Sequence, residues 1–368
     1  MGRKKIKLLA TGRGDIFLML AVAGLVLLGL LLVFSATSVK SVQLTGNAYK
    51  YLAEQAISVL LGLITMVIAY KINIQIIKNY STELFIIALV FTIAVLFFGI
   101  GAYGAKRWLV IGPVNFQPSE VMKIGIILML AKILDKYKNI NLNIYFRCLL
   151  LIALAAGFVY AEPDLGTAIV IAVISMSIIV YAGIKFRYFF LTIVAALPLG
   201  YIALTAESYR LDRLLSFINP WADASDTGYQ VVQSLMSIGS GGLWGTFLGA
   251  GKQKLLLPFA HTDFIFAVLA EEMGFIGATI TICLFFFVFI RGIIIANRAK
   301  SRYEELLCIG LTTNIAIQVI INIAVAIGIA PVTGITLPFL SYGGTSILIL
   351  MSSVGLILNV SRKQEGEA

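Results

Sequence analysis

The chain has 368 residues, of which 60% are hydrophobic and 12% are charged, and its formal net charge is +10. Soluble domains carry about 25% charged residues, so this composition excludes an ordinary soluble protein and indicates a polytopic membrane protein built of helices. The positive charge does not indicate a nucleic-acid partner, because the cytoplasmic loops of membrane proteins are rich in Lys and Arg.

Apolar runs of about twenty residues recur along the chain, and each is long enough to cross the hydrocarbon core as a helix. They predict ten spans, at residues 15–36, 53–70, 82–101, 118–134, 147–161, 165–183, 188–206, 264–290, 305–328 and 342–360. The first run is longer than the apolar part of a usual signal peptide, so we expect a retained helix. The predicted fold class is an all-α polytopic membrane protein with about ten transmembrane helices, forming one integral-membrane domain over residues 1–368.

Most of the 28 Lys and Arg residues fall in segments that lie inside the cell if the N-terminus is cytoplasmic. This bias predicts that both termini are cytoplasmic. The segments 104–120, 161–167, 207–263 and 330–344 then reach the outer face. The longest, 207–263, contains enough apolar residues to form a core of its own, so we expect one large structured extracellular loop.

Asp263 stands where this loop meets the eighth predicted span. A carboxylate at that boundary is partly desolvated, which raises its pKa toward the range useful for a general base. Asp is also favoured at helix N-caps, so Asp263 is either a base or a cap. The only histidine, His261, lies two residues earlier, and a lone histidine is more often a packed interfacial residue than a ligand.

Other ionisable residues lie at or inside the span boundaries. Glu162 and Asp164 either bind a cation or tune a base, or Asp164 caps the next helix. Glu120 and Lys123 are one helical turn apart and able to pair, as a functional site or as a structural ion pair. The adjacent Glu271 and Glu272 are expected to point in different directions and not to share a partner.

The external segments also carry positive charge. Lys106, Arg107 and Trp108 form a basic and aromatic cluster that suits a phosphate headgroup, or serves as an ordinary interfacial anchor. Arg210, Arg213, Lys252 and Lys254 oppose the usual charge bias and favour an anionic ligand. The glycines of GSGGLWGTFLGAG do not have the spacing of a dinucleotide-binding motif.

Together and in this order, these segments resemble the SEDS family of FtsW, RodA and SpoVE. The resemblance covers nearly the whole chain and is carried by GAKRWLVIGPVNFQPSEVMK (104–123), EPDLGTA (162–168), YRLDRLLSFINPWAD (209–223), GYQVVQSLMSIGSGGLWG (228–245), GKQKLLLPFAHTDFIFAVLAEEMGFIG (251–277) and PVTGITLPFLSYGGTS (331–346). GKQK and NPWAD look closer to FtsW and SpoVE than to RodA. The family often has Glu where this chain has Phe259, which puts a carboxylate role at that position in doubt.

The resemblance implies a peptidoglycan polymerase of the bacterial cytoplasmic membrane that joins lipid II units into a β-1,4 glycan and releases undecaprenyl pyrophosphate. It implies a class B penicillin-binding protein as partner, together with other divisome or elongasome proteins. Asp263 matches the family's catalytic aspartate. Substrate-binding candidates are Arg107, Trp108, Glu120, Lys123, Asp164, Arg210, Arg213, Lys252 and His261. No cofactor is certain, and a divalent cation, Mg or Mn, is left open.

Two other functions compete with the polymerase. A transporter or lipid II flippase would use the intramembrane Glu120 and Lys123, but it needs charges along a path to the inner face, and most of the unusual residues gather outside. A scaffold that only recruits a transpeptidase would leave Asp263 dispensable. Polymerisation of labelled lipid II by the purified protein distinguishes these alternatives.

Overall fold

The computed structural model describes residues 14–101, 106–111, 114–137, 140–205, 213 and 216–365. Its helices are α1 (Ile16–Thr45), α2 (Lys50–Lys71), α3 (Ile74–Asn79), α4 (Ser81–Phe98), α5 (Pro118–Lys136), α6 (Leu142–Ala161), α7 (Leu165–Tyr181), α8 (Phe186–Thr205), α9 (Tyr229–Gly241), α10 (Ile265–Asn297), α11 (Arg302–Ala326) and α12 (Gly344–Glu365). Each of the ten predicted segments overlaps one helix, and the ends differ by up to nine residues, the largest difference being at the end of α1.

Seven helices in the described part of the chain are long and apolar enough to cross a membrane, namely α1, α2, α4, α6, α10, α11 and α12. The helix α7 is apolar but has only 17 residues, the apolar run counted in α8 is Phe186–Ile202, and α5 carries Glu120, Lys123, Lys132 and Asp135. The helical membrane class is therefore confirmed.

Short polar side chains fix where several helices begin. Asp15, Asn141, Asp164 and Ser301 each accept a hydrogen bond from a backbone N–H in the first turn of α1, α6, α7 and α11. These bonds satisfy donors that a helix start leaves without partners. Polar residue types at the edges of apolar runs therefore explain these helix starts.

The all-α prediction is wrong at one short segment. Strands β1 (Leu109–Ile111) and β2 (Val114–Phe116) pair antiparallel, with Leu109 opposite Phe116. The intervening sequence is Gly-Pro, and both residue types favour turns. The described part of the segment 207–263 contains α9 and two short 3-10 turns, Pro220–Asp223 and Gln253–Leu255, so it has secondary structure of its own.

The helices differ in how deeply they are buried. Most of the apolar stretch of α11 and of α12 is buried, and α5 buries twelve residues against its neighbours. The exposed faces of α2, α4 and α8 carry large apolar side chains such as Leu60, Phe97 and Phe190. A protein in water does not expose so much apolar surface, whereas lipid tails cover it without cost.

Helix α10 is broken at Gly274, which has φ 64° and ψ −169°. The N–H groups of Phe275 and Ile276 donate instead to the carbonyl oxygens of Gly242 and Leu243, at 2.9 and 3.2 Å. A Cβ atom on Gly274 would lie 2.3 Å from the backbone nitrogen of Gly245, so only glycine fits there. The loop after α9 is bonded to both pieces of α10, since the Thr246 N–H also donates to the Glu271 carbonyl at 3.0 Å.

Candidate active site

Asp263 lies in the turn before α10 and does not cap it. The helix begins at Ile265 with Phe264 at the N-cap, and the Phe264 carbonyl accepts from the N–H groups of Ala267 and Val268 at 3.0 and 3.4 Å. Within the described residues, no hydrogen bond reaches the Asp263 carboxylate. The cap interpretation is therefore wrong, and the carboxylate is free to meet a ligand.

The backbone around Asp263 is held by α11 and by the segment before α12. The side-chain N–H of Asn322 donates to the carbonyl oxygens of Asp263 at 2.7 Å and Ile335 at 2.8 Å. The hydroxyl of Ser341 donates to the carbonyl of Thr262 at 2.6 Å. One amide thus ties the Asp263 turn to the 330–344 segment, which fixes the position of the carboxylate.

Three charged residues from different parts of the chain act on Asp263. Burial raises the pKa of Asp263 to about 6, while Arg213 and Arg107 lower it and Asp164 raises it further. A Cβ atom on Gly334, which has φ 78°, would lie 3.9 Å from Asp263 Oδ2, so glycine keeps this side open. At neutral pH the carboxylate is ionised and able to accept a proton.

Two of the predicted cations share this site and contact backbone carbonyls. Arg107 Nη2 donates to the carbonyl of Pro163, and Arg213 Nη1 donates to the carbonyl of Val332 at 3.2 Å. These bonds tie both guanidinium groups to the segments 161–167 and 330–344. The arrangement places two positive charges close to the Asp263 carboxylate.

Asp164 is the N-cap of α7. Its two carboxylate oxygens accept from the backbone N–H of Thr167 at 3.0 Å and from its hydroxyl at 2.9 Å. A Cβ atom on Gly166 would lie 2.8 Å from the carbonyl oxygen of Thr333, so this turn packs closely against the 330–344 segment. The capping interpretation of Asp164 is confirmed, and its charge also acts on Asp263.

Glu162 belongs to the same turn but was not among the predicted substrate-binding residues. Its side chain is fully buried, and in the part of the chain that the structure describes neither carboxylate oxygen has a hydrogen-bond partner. Burial and the charge of Asp164 raise its pKa to about 8, against the opposing effect of Arg107. The sequence AEPDLGT identifies Glu162 as a carboxyl group at this turn, but it does not reveal that the carboxyl oxygens lack hydrogen-bond partners among the residues described.

A family model described as "Cell cycle protein", covering FtsW, RodA and SpoVE, matches residues 16–366. The chain belongs to this family. The probable peptidoglycan glycosyltransferase FtsW of Geobacter sulfurreducens is 34% identical over 360 residues, which is 96% of each chain. Stage V sporulation protein E of Bacillus subtilis is 38% identical over 362 residues, covering 95% of this chain and 97% of its own.

Two solved structures share the fold of this FtsW, RodA and SpoVE family member. A chain of the structure described as "Structural coordination of polymerization and crosslinking by a peptidoglycan synthase complex" has TM-score 0.82 at 28% identity, covering 96% of this chain and 99% of its own. RodA of Thermus thermophilus has TM-score 0.72 at 27% identity, covering 96% and 98%. The resemblance stated from the motifs is thereby confirmed.

In this family member, Glu120 and Lys123 form a buried ion pair rather than part of the Asp263 cluster. Lys123 Nζ lies 2.7 Å from Glu120 Oε1 on the same helix and 3.1 Å from Gln318 Oε1 on α11. Both side chains are almost fully buried. The described contacts link α5 to α11, as the structural interpretation expects, and a role in substrate binding stays a prediction.

His261 packs between aromatic rings. Its ring centroid is 5.7 Å from those of Tyr51 and Tyr342. Burial, with a smaller contribution from Lys40, lowers the pKa of His261 to about 4, so the ring is neutral at pH 7. These contacts match the packed interpretation and not an anion-binding one.

The remaining predicted binding residues differ in their surroundings. Trp108 is half-buried, and its backbone pairs with Ile100, which holds the neighbouring arginine in place. Lys252 is exposed. Arg210 lies outside the described residues.

Glu271 and Glu272 share one partner, which contradicts the expectation from their adjacency. The Glu271 carboxylate accepts from the backbone N–H groups of Gln253 at 2.8 Å and Lys254 at 2.9 Å. Glu272 pairs with Lys254 Nζ at 2.5 Å, which also donates to Ser35 of α1 at 2.7 Å. The two side chains do point in different directions, but the backbone N–H of Lys254 contacts Glu271 and its side chain contacts Glu272.

A metal site needs converging ligands. Among the described residues, no group of three or more His, Cys, Asp and Glu side chains could hold a metal ion. The described carboxylates therefore do not supply a complete protein ligand set, and assistance by Mg or Mn stays a prediction.

Proposed function

We propose that this protein is a peptidoglycan glycosyltransferase that joins lipid II disaccharide units into β-1,4 glycan and releases undecaprenyl pyrophosphate. The observation that carries the proposal is the Asp263 carboxylate, which accepts no hydrogen bond within the described residues and has two arginines beside it. The activity in the names of the FtsW relatives supports the same reaction.

In the proposed reaction, the carboxylate and the cations have different roles. The 4-hydroxyl oxygen of the acceptor sugar forms a bond to the anomeric carbon of the donor, and the bond from that carbon to the pyrophosphate oxygen breaks. Asp263 takes the hydroxyl proton, and the electron pair of the broken bond leaves with the pyrophosphate. Arg107 and Arg213 stabilise the negative charge that develops there, and no strong general acid is required.

Membrane topology follows from the same proposal. We infer ten spans, adding α5, α7 and α8 to the seven long apolar helices. The 17 residues of α7 are at the lower limit for a transmembrane helix, and the charged pair inside α5 faces protein rather than lipid. Both termini lie in the cytoplasm, and the Asp263 site, with the large loop 207–263, lies outside the bacterial cytoplasmic membrane.

A crosslinking partner is part of the proposal. One structural relative belongs to a complex described as coordinating polymerisation and crosslinking. A polymerase that makes uncrosslinked glycan at the outer face needs a transpeptidase close by. We infer a class B penicillin-binding protein as that partner, and divisome or elongasome proteins as further ones.

The test is polymerisation of labelled lipid II by the purified protein carrying Asp263→Asn. Asparagine keeps the shape and breaks no hydrogen bond within the described residues, so folding should persist. A lost general base typically costs about 10² to 10⁴-fold, so glycan product should fall near background. Asp226→Asn, an exposed carboxylate of the same loop, is the matched control and should retain the parent rate.

The outcomes separate the competing functions. Polymerisation by Asp263→Asn at close to the parent rate would show that Asp263 is not the base. A protein that moves lipid II across vesicles without making glycan would be a transporter. A protein that only recruits a transpeptidase would make no glycan, either as the parent or as Asp263→Asn.

A further inference from the structure

Glu162 is a buried carboxyl group with no evident structural task. It follows the last residue of α6, its side chain is 0% exposed, and neither of its oxygens has a hydrogen-bond partner among the described residues. Buried polar groups are nearly always paired, so an orphan next to a candidate active site requires an explanation. The neighbouring Asp164 is explained by its cap, and Glu162 is not.

Two charged groups face Glu162 from the elements around it. Asp164, at the start of α7, opposes ionisation, whereas Arg107, from the segment before β1, favours it. Burial opposes ionisation more strongly than either charge acts, and it raises the pKa of Glu162 to about 8. The side chain is therefore neutral at pH 7.

The protonation state of Glu162 determines whether it can form an ion pair with Arg107. Arg107 Nη2 donates to the carbonyl of Pro163, the residue after Glu162, while Arg107 Nε is buried with no hydrogen-bond partner in the described ranges. The ion pairs among the described residues do not include Glu162. An ionised Glu162 would be a strong nearby partner for this guanidinium, since carboxylates pair with arginine through two parallel hydrogen bonds.

We propose that Glu162 is a positioning residue whose neutral form leaves the charge of Arg107 available to the diphosphate group of the ligand. The inference rests on the proposed function, which supplies the diphosphate. When Glu162 ionises, it pairs with Arg107 and withdraws that cation from the ligand. The same carboxylate then adds negative charge beside Asp164 and Asp263, where an anion has to bind.

The test measures how tightly undecaprenyl pyrophosphate binds to the purified full-length protein between pH 7 and pH 9. For the parent, the apparent Kd should rise roughly tenfold across this range, because the binding-competent neutral fraction falls about tenfold per pH unit above the pKa. Glu162→Gln cannot ionise, so its Kd should match the parent at pH 7 and stay flat. Any ionisation of the ligand itself affects both proteins equally and cancels in the comparison.

Two further variants keep the comparison interpretable. Glu162→Met is also neutral and of similar size, and it should behave like Glu162→Gln if the amide variant folds poorly. Glu83→Gln replaces an exposed carboxylate in the first turn of α4 and should keep the parent's pH dependence. Equal pH dependence in the parent and both Glu162 variants would overturn the proposal, as would a large loss of binding by these variants at pH 7.

Infrared difference spectroscopy reports the proton on Glu162 without any reaction. The spectrum of the parent minus that of Glu162→Gln should contain a protonated-carboxyl C=O band at pH 7 that falls to about half near pH 8 and to about a tenth at pH 9. A band missing at pH 7 would also overturn the proposal. Neither measurement requires glycan synthesis, so a failure of the proposed polymerase activity is detected separately, by the Asp263→Asn experiment.

Discussion

Replacing Lys254 by Met should destabilise the protein by about 3–5 kcal/mol. Lys254 is 4% exposed, and its ammonium lies 2.5 Å from Glu272 Oε1 and 2.7 Å from Ser35 Oγ. Among the described residues, Glu272 Oε2 has no hydrogen-bond partner and Oε1 has only the Ser35 hydroxyl besides Lys254, so removing the ammonium leaves a buried carboxylate without its cation. Breaking a buried ion pair on one side costs about 3–5 kcal/mol, whereas replacing both partners is often nearly neutral.

The assay is a reversible unfolding titration in detergent on Lys254→Met, Glu272→Gln and the double variant. The double variant should recover at least about 2 kcal/mol relative to Lys254→Met, because contacting residues are strongly coupled. Lys252→Met, two residues away and exposed, should change the free energy of unfolding by less than about 0.5 kcal/mol. A loss below about 1 kcal/mol for Lys254→Met, or no recovery in the double variant, would refute the reasoning.

Three further predictions concern topology, capping and pH. With native cysteines removed, a cysteine at Ser225 should react with an impermeant reagent in intact cells and one at Ser301 should not; the opposite pattern contradicts the proposed orientation. Asp164→Ala should cost about 1 kcal/mol of stability and Asp164→Asn less, since Asn still caps; equal, severe losses of polymerisation in folded variants would indicate a role for the charge. The polymerisation rate should fall as the pH is lowered through about 6, because protonated Asp263 cannot act as a base; a flat profile from pH 5 to pH 8 contradicts this.

The sequence predicted the helices well and the irregular features poorly, for a physical reason. Long apolar runs have few alternatives in a membrane, so hydropathy alone located every segment that became a long helix. The three-residue strands β1 and β2 are too short for their alternation to be recognised. The break at Gly274 depends on the carbonyl groups of Gly242 and Leu243, which are distant in sequence.

The candidate site was likewise predicted in its residue types but not in its irregular backbone and packing. The motifs indicated Asp263, Arg107, Arg213 and Asp164, and their mutual electrostatic effects place them together. Residue types did not show that Asp263 precedes the N-cap, because α10 begins one residue later than an Asp cap requires. The missing partners of Glu162 likewise depend on packing, which one sequence does not reveal.

The break at Gly274 divides α10 into a long piece that can cross the bilayer and a short piece that supports the turn with Asp263. From residue 275 to 297 the helix has about 23 residues and a length of about 35 Å, enough to cross the hydrocarbon core unaided. The outer piece, about nine residues long, is fastened to the loop after α9 and to Lys254 instead. The turn that carries Asp263 is therefore supported by protein contacts before Gly274, while the stretch after Gly274 is long enough to cross the bilayer.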